Sequence, residues 1–224
     1  MQSLHYNGRM PSATAVAVVA PPAGIEDAEC GLRERKKRET RAAIHRAALE
    51  LAHEGGVDAL TVDAIAERAG VSPRTFFNYF PTKDDAIIGS GASDLDALAT
   101  LVAARPAGES VREIVHAIAL IRMAALERDP ESWAMRRELT LSEPAIGLRF
   151  LGVYARADRV LVDALVERTR VASAGALSAD EEFAVAVEAH AALGAVRAAI
   201  RMHLAGAYAG APLRELLDRA YALL

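Results

Sequence analysis

Arg74 and Asn78 lie four residues apart with Phe77 beside them. That spacing sets a guanidinium, a carboxamide and an aromatic ring on one side of a helix. The three groups match DNA base edges: Arg pairs bidentately with guanine, Asn with adenine, and a ring can cover a thymine methyl. Each such contact is worth about 1–3 kcal/mol of discrimination. Around them, the hydroxyls of Thr61, Ser72, Thr75 and Tyr79 and the ammonium of Lys83 suit phosphate oxygens, which fix register without reading sequence. Phe76 and Phe80, also four apart, point the other way and are expected to anchor the segment in a core.

Three elements must hold that face. A helix is expected from about Arg33, with Ile44, Ala48, Leu51 and Ala52 on one side, stopped by Gly55-Gly56. Thr61 caps a second helix carrying Val62, Ile65, Ala66 and Ala69, and Gly70 supplies a sharp turn. Ser72 then caps a third, short helix with Pro73 at its first position, where a missing N–H costs nothing. Pro81 ends it, and Thr82 caps a fourth helix expected to run from Lys83 toward residue 103.

The charge distribution favours the same surface. The 224-residue chain carries a formal net charge of −4, too little positive charge to coat nucleic acid along its whole length. Yet Arg33 to Lys83 holds ten Arg or Lys against seven Asp or Glu, and residues 33–41 hold six basic side chains against Glu34 and Glu39. Arg38 and Arg41 in this run are candidate phosphate contacts.

Residues 1–32 mix Pro, Gly and Ala without an amphipathic repeat and read as a loosely ordered arm. The apolar run Ala13–Ala20 is too short to span a bilayer and is not read as a signal, so a cytoplasmic location with no membrane partner is expected. Cys30 is the only cysteine, which rules out an intrachain disulfide. No metal site or cofactor is expected, and catalysis is not: the chain has no nucleophile elbow, no glycine-rich phosphate loop and no His-Glu pair at metal spacing.

Thr61-Val-Asp-Ala-Ile-Ala-Glu-Arg-Ala-Gly-Val-Ser72 followed by Thr75-Phe-Phe-Asn-Tyr-Phe-Pro-Thr-Lys83 resembles the DNA-binding domain of the TetR family of one-component bacterial regulators, over residues 38–88. The resemblance implies an all-α homodimer of about nine helices: a three-helix helix-turn-helix head and a helical ligand-binding and dimerisation domain. It further implies a double-stranded, palindromic DNA operator and, usually, repression until a small-molecule inducer enters the second domain. Two positions depart from the family pattern. Phe77 stands where Tyr is frequent, and Pro73 where a donor is frequent, leaving Arg74 and Asn78 as the base readers.

Beyond the head, caps punctuate the chain: Ser110 with Glu113, Asp129 before Pro130, Ser142 before Glu143-Pro144, and Ser178 with Glu181. Helices are expected at about 109–127, 130–140, 143–170, 178–206 and 212–223, and domains at 33–82 and 83–224. The Ala- and Leu-rich stretch 178–223 is the expected homodimer seam. A ligand pocket among residues 83–170 would use the bulky walls Leu120, Met123, Trp133, Phe150 and Tyr154, with Arg137 as an anchor beside His116, Arg122 and Arg149. Asn78–Gly89 and Arg136-Arg-Glu-Leu weakly resemble regulators with acyl-CoA-like ligands; a neutral hydrophobic ligand would suit the aromatic residues equally well. The rival reading is a helical ligand-binding dimer that has lost specific DNA binding.

Overall fold

The computed structural model describes residues 32–224 apart from 90, 91, 174, 205–207 and 209. Cys30 and the expected arm up to residue 31 lie outside them. The described residues form ten helices and no strand. These are α1 (Leu32–Gly55), α2 (Val62–Arg68), α3 (Pro73–Phe77), α4 (Lys83–Ile88), α5 (Ala92–Ala103), α6 (Val111–Arg128), α7 (Pro130–Ser142), α8 (Pro144–Ala172), α9 (Ala179–Leu204) and α10 (Leu213–Tyr221).

The helix starts sit where cap chemistry calls for them. Thr61, Ser72 and Thr82 each accept a hydrogen bond from the backbone N–H three residues on. Both capping boxes close: Ser110 N–H and Ser178 N–H each donate to a glutamate Oε2 at 2.8 Å, from Glu113 and Glu181. Two boundaries differ from expectation. Helix α7 continues through Ser142, so Glu143 rather than Ser142 precedes α8, without a side-chain cap. The helix expected from Lys83 to residue 103 is two helices, because Gly89 takes a left-handed φ of +72°. A Cβ on Gly89 would stand 2.7 Å from the His45 ring, so the chain passes there only as glycine.

Two apolar cores form. The first joins α1–α4, with Ile44, Leu49, Ile65, Phe76, Phe80 and Ile87 fully buried, and is completed by Leu139 of α7 and by Ile146 and Phe150 of α8. The second joins α5, α6, the later turns of α8, α9 and α10. Trp133 packs against both. The head therefore closes its core with residues from the body, and α4 lies within that head core.

Leu213, Leu216 and Leu217 of α10 are buried inside the chain. The open apolar surface of the C-terminal part belongs instead to α8 and α9, where Leu148, Leu151, Phe183, Val187 and Met202 are exposed. Helix α9 is apolar and long enough to pass for a membrane span by composition. Its other face, Val185, Ala189, Ala192, Val196 and Ile200, lies in the second core.

Candidate DNA-reading face and ligand cavity

Helix α3 is one and a half turns long, and neighbours fix its orientation rather than its own length. The turn before it is made by Gly70, at φ +67°, while the Val71 N–H donates back to Ala66 O at 2.9 Å. From there Phe76 and Phe80 run inward, both without exposed surface, and Phe76 meets Phe77 edge-on at 5.4 Å. This anchoring turns Arg74, Phe77 and Asn78 to solvent, with Phe77 56% exposed. The geometry brings the three groups expected to read bases together on one open face. Pro73 and Ser72 lie exposed at its leading edge, while Thr75 is half-buried and shares a 2.9 Å hydrogen bond with Ser72 through their hydroxyls. Tyr79 is half-buried, with its ring packed on the head core. Thr61 is exposed and serves as the α2 cap.

Two cations expected at phosphates are internal braces. The Lys83 ammonium donates to Val57 O and Leu60 O, both at 2.9 Å, holding the α1–α2 connection against the start of α4. The Arg41 guanidinium donates to Tyr79 O and Gly89 O, each at 3.3 Å, and lies 4.4 Å from the centre of the Phe80 ring. Loop carbonyls without helical partners need donors where they are shielded from water, and these two cations lie within reach. Arg38 is half-buried on α1.

Helix α4 is tied on two sides. Asp84 pairs with Arg149 of α8 at 3.0 Å. His45 of α1 meets Ala86 O through Nδ1 at 2.7 Å and Arg136 of α7 through Nε2. A carbonyl only accepts and a guanidinium only donates, so Nδ1 carries the proton and Nε2 is the acceptor. Burial in this contact, then the Arg136 charge, hold the His45 pKa down at about 3. Arg136, only 4% exposed, also lies 6.0 Å from the centre of the Phe150 ring. This α1–α4–α7–α8 junction had no signal in the sequence beyond the individual residue types.

A cavity of about 700 Å³ opens between α5, α6, α8 and α9. Of the six residues expected to line it, Tyr154 alone does. Met123 is filled core, Leu120 packs on the same core, Trp133 bridges the two cores, Phe150 is fully buried in the head core and Arg137 is exposed on α7. Bulky side chains fill space, and the void lies where chains are short: Ala119, Ala155, Ala157, Gly194 and Ala198 are in the wall. Among the other candidate anchors, Arg122 does line the cavity, His116 pairs with Asp218 at 2.8 Å and Arg149 holds α4. The charged lining is Arg122, Arg197, Arg201 and Asp158, with Arg197 bonded to Asp158 at 2.8 Å. Helix α8 serves both regions, giving Ile146 and Phe150 to the head core and Tyr154, Asp158 and Leu161 to the cavity.

A small helical head that turns an Arg, an Asn and an aromatic ring outward, mounted on a helical body with a cavity, has the form of a helix-turn-helix DNA-binding head on a helical body. Residues 44–86 match the model described as bacterial regulatory proteins, tetR family. The chain is 41% identical over 80 residues to the HTH-type transcriptional regulator TcmR of Streptomyces glaucescens, covering 36% of this chain and 35% of that one. The match thus spans about a third of that relative's length. It is also 28% identical over 151 residues to the HTH-type transcriptional repressor KstR of Rhodococcus jostii (strain RHA1), 67% of this chain and 69% of that one. The fold is shared with the fatty acid degradation regulator FadR from Bacillus halodurans (TM-score 0.52, 18% identity, 82% and 93% of the two chains). The same holds for FadR from Bacillus subtilis in complex with stearoyl-CoA (TM-score 0.50, 18% identity, 81% and 96%). The head at residues 44–86 is thus similar to that of the tetR family of bacterial regulatory proteins, and the solved structures share the fold beyond it.

Proposed function

We propose that this protein is a cytoplasmic homodimeric repressor that binds a palindromic operator through α3 and releases it when a small molecule occupies the cavity. The observation that carries this reading is the division of labour along α8: one helix packs under the DNA-reading head at Ile146 and Phe150 and walls the cavity one turn later. A ligand that moves α8 must load α4, which α8 holds through Asp84–Arg149. A shifted α4 changes the separation of the two heads and mismatches them to half-sites about one helical turn, roughly 34–36 Å, apart.

The wall chemistry favours a ligand with an apolar body and an anionic end. Three arginines face one carboxylate, and most of the remaining lining is aliphatic. Acyl-type molecules have that form, and the stearoyl-CoA in the B. subtilis FadR structure is one. Arg74, Phe77 and Asn78 read bases in this account, with Arg38, Ser72, Pro73 and Thr75 along the duplex backbone.

Selection of genomic DNA fragments on the purified chain tests the reading. Enrichment of one two-fold-symmetric sequence, and its release by dodecanoate, is the expected result. Enrichment of no sequence would favour a ligand-binding dimer without specific DNA recognition. Spin labels on the two heads that kept their separation while DNA was released would rule out coupling through α4.

A further inference from the structure

The helices around the cavity have fixed directions relative to the head. Helix α8 starts in the head core at Ile146 and Phe150 and leads away from it. Helix α9 comes back beside it, because Asp158–Arg197 and Arg170–Glu182 pair the two helices in opposite senses. Helix α6 also ends toward the head, since α7 follows it at once and Glu131, in the first turn of α7, bonds to Arg46 of α1 at 2.7 Å. The cavity lining therefore has a direction. Arg122, Tyr154 and Arg201 stand at the end nearer the head, and the Arg197–Asp158 pair comes next. Val115, Ile118 and Leu161 make the far end aliphatic.

An amphiphile with one anionic end fits such a space in one orientation: charge toward the head, tail away from it. The first cations it meets are Arg122 and Arg201. Arg197 is already engaged, its Nη1 donating to Asp158 Oδ2 at 2.8 Å. The two side chains keep 43% and 29% of their surface exposed. An ion pair so open to water is worth little, so a ligand carboxylate can compete with the Asp158 carboxylate for the guanidinium. A ligand shifts an equilibrium only by binding one state better than the other. While Arg197 is bonded to Asp158, α8 and α9 are tied and the ligand lacks one partner. When the pair opens, the ligand gains that partner and α8 loses a tie.

We infer that the anionic end of the ligand lies at the head end of the cavity and takes Arg197 from Asp158, so that this ion pair is the contact displaced by binding and its opening releases α8 from α9. Asp158 then has two roles. It competes with the ligand for Arg197 and so sets ligand affinity, and it is a positioning residue that holds α8, and through Arg149–Asp84 also α4, in the DNA-binding arrangement. The inference rests on the anionic-amphiphile reading above and adds the ligand's orientation and the contact it breaks.

The test uses the full chain, calorimetry with dodecanoate and with dodecanol, and affinity for the fragment selected from genomic DNA. The unmutated protein should bind dodecanoate at least about tenfold more tightly than dodecanol, since only the carboxylate can compete for Arg197. Asp158→Asn removes the competitor and should tighten dodecanoate binding about three- to tenfold, while weakening the ligand-free binding of the fragment about threefold. Arg197→Gln should weaken dodecanoate binding about tenfold and weaken the fragment by the same factor as Asp158→Asn. Opposite movement of ligand and DNA in Asp158→Asn is the signature, because a pair that merely supported the fold would weaken both when broken. Dodecanoate bound no more tightly by Asp158→Asn, or as tightly by Arg197→Gln as by the unmutated chain, would overturn the displacement, as would dodecanol bound as well as dodecanoate. A fragment bound unchanged by both variants would overturn the release of α8. Should one variant fail to fold by circular dichroism, the other variant and the dodecanol comparison decide. An unmutated protein that bound neither probe would instead overturn the amphiphile reading itself, and the inference with it.

Discussion

The head and the body of this chain pack differently. In the head, large side chains interlock until Phe76, Phe80, Ile44, Ile65 and Ile87 have no exposed surface, and two internal cations tie the loops together. In the body, about 700 Å³ of cavity stays open between α5, α6, α8 and α9, with Ala155, Ala157, Gly194 and Ala198 among larger side chains in its wall. A surface that reads base edges must hold its donors within a few tenths of an ångström, which a closed core achieves. A sensor must accommodate something from outside, which requires incomplete packing. The same fold thus contains a closely packed part and a part with open volume, which is the division the proposed reader and sensor require.

The contrast breaks most sharply at Phe76. Phe76→Ala should cost about 3–5 kcal/mol of stability, read from urea unfolding, because the head core is too closed to collapse around the loss. A cost below about 1 kcal/mol would mean the head is no better packed than the body. Arg74→Ala and Asn78→Ala should each remove about 1–3 kcal/mol of discrimination between operator and random duplex without changing thermal stability. Both side chains are exposed, so a stability loss there would argue that the face is structural.

At the junction between the regions, His45 supplies a pH signature. Its folded pKa of about 3 lies below the ordinary 6.5, so between these values the unfolded chain binds the extra proton. Stability should then fall as pH drops from about 6.5 toward 3, with a slope approaching ~1.4 kcal/mol per pH unit from this group. His45→Gln can donate to Ala86 O and accept from Arg136, and should flatten that contribution; an unchanged slope in urea midpoints between pH 7 and 5 would place the proton uptake elsewhere. Lys83→Ala should lower stability by about 1–3 kcal/mol, since two loop carbonyls lose their donor, while leaving the salt dependence of DNA binding unchanged. A slope reduced by about one ion would return Lys83 to the phosphates. The smallest effect separates the regions from the other side: Ala119→Leu fills the cavity wall and should change stability by less than about 1 kcal/mol while weakening dodecanoate binding.

Most helix ends were legible in the sequence because caps are local chemistry. Ser110–Glu113 and Ser178–Glu181 state their own geometry within four residues. The inward turn of Phe76 and Phe80 and the outward turn of Arg74 and Asn78 followed from periodicity alone. What stayed hidden depends on distant partners. Nothing near Lys83 says that its ammonium reaches the carbonyls of Val57 and Leu60, and nothing near Gly89 announces the imidazole of His45, forty-four residues earlier, that leaves no room for a side chain there. The cavity was missed for a related reason. Trp133, Phe150 and Met123 look like pocket walls in a sequence, yet large apolar groups are the ones that fill a core, and the void opens beside alanines that carry no signal of their own.

The affinity of the unmutated protein for its selected fragment, set against a scrambled duplex of equal length at physiological salt, addresses the DNA-reading face most directly. The account expects the fragment to be bound at least about 10³-fold more tightly, with most of that preference lost when Arg74 and Asn78 are both replaced by alanine. Equal affinity for the two duplexes, or a preference that survives the double replacement, would contradict it.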